Sequence, residues 1–138
     1  MKDLIVLGAV ILLLLTFPLQ YALEQKNHHN ISMFQQYVNV AKEKARAKGC
    51  FTQEIIDELK LNILNEFDNI TESEIVIDVT TTPKYRKRTF DERELIHYRI
   101  GVPIKKLIAT SKFWGISDIE NQYLYEIDRY TTSELPLP

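Results

Sequence analysis

The chain has 138 residues, 45% of them hydrophobic, and a formal net charge of −2. That length allows one small domain plus an anchor but not two full cores, and the near-neutral balance gives no general attraction to nucleic acid. The single cysteine, Cys50, excludes an internal disulfide and cannot by itself furnish a zinc site.

The first element is the run Leu4–Leu23, which carries no charge over 20 residues. As a helix it spans roughly 30 Å, the thickness of a bilayer's hydrocarbon core. It is apolar on every side, so lipid or other helices must surround it. Leu4, Ile5, Leu7, Val10 and Ile11, followed by Leu12, Leu14, Leu15 and Phe17, are expected to pack in a membrane or a filament core. A cleaved secretory signal fits poorly: a cut after Ala22 would place Gln20 where a small residue is required, and the run exceeds a usual signal core. A plain anchor is the second reading, with flanking charges too sparse to fix its orientation. The third is a pilin-type helix that waits in the membrane and then packs into a filament, so the run is expected to stay on the mature chain. Pro18 removes one backbone donor and crowds the carbonyl of Leu14, which predicts a kink there.

After the polar belt Gln25–Asn30, the residues Ile31, Phe34, Val38, Ala41 and Ala45 recur at spacings of three and four. That is the stripe of an amphipathic helix. Lys42, Lys44, Arg46 and Lys48 suit the negative end of its macrodipole, and Gly49 stands where a left-handed terminator is expected. One helix from Asp3 to Lys48 is therefore predicted, roughly 70 Å long. Adjacent helical residues point about 100° apart, so His28 and His29 cannot share an ion as residues four apart could, and no metal is expected. A second helix follows, with Thr52 as N-cap, Phe51 before it, and Ile56, Leu59, Ile63 and Phe67 on its apolar face. Cys50, in the corner between the helices, reads as a small buried apolar residue, with a disulfide to another subunit as the alternative.

From Glu74 the period changes to two. Strands are predicted over Glu74–Thr82, Leu95–Ile104 and Asn121–Tyr130, and Leu107–Trp114 could add a short fourth. Ile96, Tyr98, Ile100 and Val102 share one face of the second strand, while Gly101 marks a bulge or close backbone contact and Pro103 an edge or strand end. Strands in succession with no helix between them indicate an antiparallel meander. The fold class is thus α+β: a long hydrophobic helix, a short helix, then a small antiparallel sheet of three to four strands. Its parts are a core helix (1–23), the amphipathic continuation (24–50) and a globular head (51–138).

The basic run containing Lys84, Arg86, Lys87 and Arg88 could contact phosphate or anionic lipid, but a solvated hairpin loop is the commoner role for so short a run, with a subunit contact between the two. Acidic counterparts for such a contact stand at Asp118, Glu120, Glu126 and Asp128. So short a run does not establish nucleic-acid binding. The tail Leu135–Pro138 is expected to be extended and could lie against a neighbour. Four scattered glycines, at 8, 49, 101 and 115, form no phosphate loop, and no nucleophile with a base is evident. No enzyme activity and no cofactor are expected.

The apolar run Leu4–Leu23, the basic helix end Ala41–Gly49, the helix Thr52–Phe67 and the strands after it together resemble TadE-like pilins and pseudopilins of the type IV pilus class. The resemblance covers most of the chain in architecture, although no single motif carries it. It implies a structural subunit of an extracellular filament on the cell surface, self-associating through its N-terminal helices. Its precursor would sit in the inner membrane and meet a pilus assembly machinery. One residue departs from the pattern: type IV pilins carry a glutamate five residues past the processed glycine, and from Gly8 that position is Leu13. Asp3 is the acidic residue left to neutralise a neighbour's terminal amine. A membrane-anchored component of a pilus, secretion or conjugation machine that never polymerises is the alternative.

Overall fold

The computed structural model describes residues 1–86, 94–105, 107–109, 114–117 and 120–136. The α+β class holds. Helix α1 (Lys2–Lys48) and helix α2 (Gln53–Glu66) are followed by a 3₁₀ turn (Glu72–Glu74). Strands β1 (Val76–Val79), β2 (Leu95–Lys105) and β3 (Gln122–Thr132) then form an antiparallel sheet in the order β1-β2-β3. The chain divides into two compact units, residues 1–29 with 104–123 and residues 30–103 with 124–138.

The second unit holds the larger core. The stripe Phe34, Val38, Ala41 and Ala45 is buried, as are Ile55, Ile56, Leu59 and Ile63 of α2 and Ile96, Tyr98, Ile100 and Val102 of β2. Phe34 is the hub on the α1 side: its ring meets Phe67 at 6.4 Å and Tyr125 at 5.8 Å, both edge-on. Gly49 ends α1 with φ +84°, and Thr52 caps α2 by accepting a hydrogen bond from Ile55 N at 3.3 Å. Phe51, between them, is fully buried against the ring of Tyr98.

The first strand is shorter than its alternating pattern predicts. Residues 72–74 coil into the 3₁₀ turn. At the other end, the carbonyl of Thr80 accepts from Phe51 N at 2.9 Å, while its hydroxyl accepts from His97 N at 2.9 Å. The α1–α2 corner thus occupies the group that would have extended the ladder. Val76 pairs with Gly101, so β2 has no β1 partner beyond that point, and Pro103 costs no ladder bond on that side. A Cβ at Gly101 would stand 3.4 Å from Leu124 and from the carbonyl of Tyr125, an ordinary van der Waals distance that does not by itself require glycine.

In the first unit, the described part of Leu107–Trp114 is turn, not a fourth strand. The described part of the tail is extended and paired within the chain. Leu135 lies against Gly49, and Arg86 bridges Pro136 in parallel with its N–H donating to Leu135 O at 2.6 Å. Residues 135 and 136 therefore pack on their own chain.

Candidate membrane and assembly interface

An α-helix satisfies its own backbone, so its side chains alone decide which solvent it needs. Leu4, Ile5, Leu7, Val10, Ile11, Leu12, Leu14, Leu15 and Phe17 are all exposed, from 44% at Val10 to 72% at Leu4, Ile5 and Phe17. Val6, Leu13, Leu19 and Tyr21 are exposed as well. The sequence reading had not singled these out, although they lie in the same uncharged run. Among the described residues, α1 is the one helix long and apolar enough to cross a membrane by length and composition.

The helix runs unbroken through Pro18. Proline leaves the Leu14 carbonyl without its usual donor. One turn earlier, the Thr16 hydroxyl donates to the Leu12 carbonyl at 2.7 Å, hiding a polar group inside the apolar run. Asp3 sits exposed in the first turn, where a carboxylate suits the positive end of the helix.

The amphipathic half is tied down by polar pairs around its buried stripe. Gln35 Nε2 donates to Tyr125 Oη at 2.6 Å, and Lys44 Nζ reaches both oxygens of Glu58 on α2 at 2.7 and 2.6 Å. Arg46 carries more. Its Nη2 donates to Glu134 at 2.9 Å and its Nε to the carbonyl of Thr132 at 3.3 Å, while its own carbonyl accepts from Glu134 N at 2.9 Å. The hydrogen bond to Glu134 holds the Arg46 guanidinium above its usual range against a slight burial penalty, with Glu43 assisting. Slight burial pushes the Glu43 carboxyl up, but hydrogen bonds and attraction from Lys42 and Arg46 outweigh it and hold the group low.

The basic run is only partly within the described residues, and Lys87 and Arg88 lie outside them. Lys84 is half-buried and its backbone is fully engaged: its N–H donates to Gly49 O at 2.8 Å, and its carbonyl accepts from the Ser133 hydroxyl at 2.7 Å. Arg86 is exposed, with its guanidinium 3.8 Å from Glu134. The described members of the acidic set also have partners within the chain. His97 Nε2 lies 2.6 Å from Asp128, Arg99 lies 3.5 Å from Glu126, and Glu120 accepts from Ser117 N at 3.2 Å. Glu120, Glu126 and Asp128 thus each have a partner within the chain, and Asp118 lies outside the described residues. His28 and His29 are both exposed on α1, and Cys50 is a free, buried thiol.

Comparison with protein-family models, curated proteins and solved structures gives no match.

Proposed function

We propose that this chain is a structural, pilin-like subunit of an extracellular filament of the TadE-like, type IV pilus kind. Its exposed apolar helix resides in the inner membrane before assembly and in the filament core afterwards. The observation that carries the reading is the change of solvent along α1: every residue singled out in its first part is exposed and apolar, whereas its later part buries one stripe. Burying a large apolar side chain is worth roughly 1.5–3 kcal/mol, so nine half-exposed ones represent on the order of 10 kcal/mol. That is comparable with the whole stability of a small domain, and water is not a tenable surrounding for such a surface. Exchange of lipid contacts for helix contacts, aided by the assembly machinery, would keep the run covered throughout. The role involves neither catalysis nor a cofactor.

Electron microscopy of sheared surface fractions tests the proposal. The chain should be the repeating component of a helical fibre, and Leu12→Arg should abolish both membrane retention and fibres. Recovery of the chain only from detergent extracts, never from fibres, would refute polymerisation and leave the non-polymerising anchor.

A further inference from the structure

The β2–β3 connection belongs to the same compact unit as the apolar run. Gln20 Nε2 donates to Leu107 O at 2.9 Å, and Gln20 Oε1 accepts from Ala109 N at 3.0 Å. From the other side, Asn121 Oδ1 accepts from Ile108 N at 2.7 Å and its Nδ2 donates to Ile108 O at 3.0 Å. The carbonyl of Asn121 accepts from Leu107 N at 3.2 Å. Two side-chain amides and one carbonyl therefore satisfy five successive backbone polar groups of an irregular segment. Asn121 is itself 3% exposed.

A loop in water has no need of such closure, because solvent serves its N–H and C=O groups. Irregular backbone at membrane depth does need it, since hydrocarbon offers no partner. The depth follows from the helix. Gln20 stands three residues before Leu23, about 4.5 Å inside the end of the uncharged run. The segment it grips carries Leu107 and Ile108, each more than a third exposed, and the same connection carries Trp114, which is 62% exposed. Tryptophan and aliphatic side chains are the residues that favour the headgroup–acyl boundary.

We propose that the described part of this connection is a membrane foot. Leu107, Ile108 and Trp114 enter the headgroup–acyl boundary of the bilayer beside the apolar helix, and Gln20 and Asn121 seal the backbone of residues 107–109. The inference rests on the reading that Leu4–Leu23 spans the membrane before assembly. It adds a second, shallow contact that fixes how far the helix sinks and must be withdrawn when the subunit leaves the bilayer.

The chain has one tryptophan, which makes the test direct. The full-length protein is reconstituted into phosphatidylcholine–phosphatidylglycerol vesicles in which the lipids are brominated either near the headgroup or near the chain end. Trp114 emission should shift to the blue and be quenched most by shallow bromines. A Leu12→Trp, Trp114→Phe variant reports the span itself and should be quenched most by deep bromines. If the Leu12→Trp probe is quenched while Trp114 keeps a water-like spectrum, the foot is overturned and the spanning helix stands. If neither is quenched, both readings fall. A Trp114 blue shift that disappears on dilution with lipid would mean contact with a second copy, and would also overturn the foot. Gln20→Leu retains the span but removes the grip. It should lower Trp114 quenching and speed hydrogen exchange at Ala109, without loss of membrane retention.

Discussion

Replacing Gly49 with alanine should destabilise the head more than its single added methyl group suggests. With φ at +84°, the residue is in the left-handed region, where a side chain costs roughly 1–2 kcal/mol. The new Cβ would also collide with the carbonyl of Lys84 and stand 2.8 Å from Leu135 Cδ2. The Leu135 side chain can rotate aside, but the Lys84 carbonyl is backbone and cannot easily yield. The Lys84 carbonyl is held by the Ser133 hydroxyl at 2.7 Å, Lys84 N by Gly49 O at 2.8 Å, and Leu135 O by Arg86 N at 2.6 Å. Overpacking against a fixed backbone adds about 1–3 kcal/mol, for a total of about 2–5 kcal/mol. Guanidinium unfolding in detergent, followed by the near-ultraviolet circular dichroism of the aromatic side chains, measures the loss. Gly8→Ala is the control, since a Cβ there meets nothing within 4 Å. A loss at Gly49 below about 1 kcal/mol, the lower end of the left-handed cost alone, would refute the reasoning.

Phe34→Ala removes a fully buried ring that touches two others, so the same unfolding measurement should show a loss of about 3–5 kcal/mol. Asp3→Ala should impair filament formation while leaving the head's unfolding unchanged, and normal fibres from the mutant would end its role as an amine partner. The Glu43 carboxyl should titrate below its ordinary value of 4.5. Because its folded value is depressed, its small contribution to stability is complete above pH 4.5 and is lost as pH falls through the lower folded value. Nuclear magnetic resonance titration should show that midpoint moving back up in Lys42→Ala and Arg46→Ala.

The periodic features were legible because each repeats in the chain. Phe34, Val38, Ala41 and Ala45 announce a helix stripe, and Ile96, Tyr98, Ile100 and Val102 a strand face; all eight are buried. Local chemistry was equally plain at Thr52, whose hydroxyl caps α2, and at Gly49, which turns left-handed after α1. Long-range polar pairs leave no such trace. Gln20 grips Leu107 and Ala109, and Arg46 grips Glu134, from some 90 positions away. In the sequence each of these is one more polar residue among many. The early end of β1 was hidden for the same reason, since it depends on Phe51 taking the carbonyl of Thr80.

The contacts of Phe34 and Arg46 also set an order of events in biosynthesis. Phe34 meets Phe67 early but waits for Tyr125, and Arg46 waits for Glu134, so the ribosome must produce most of the chain before the stripe on α1 is fully covered. Contacts so distant in sequence form slowly. The apolar run, by contrast, emerges first and needs no distant partner. If the run enters a membrane as proposed, insertion can be complete while the head is still an open chain, whose sticky stripe then needs protection until β3 arrives.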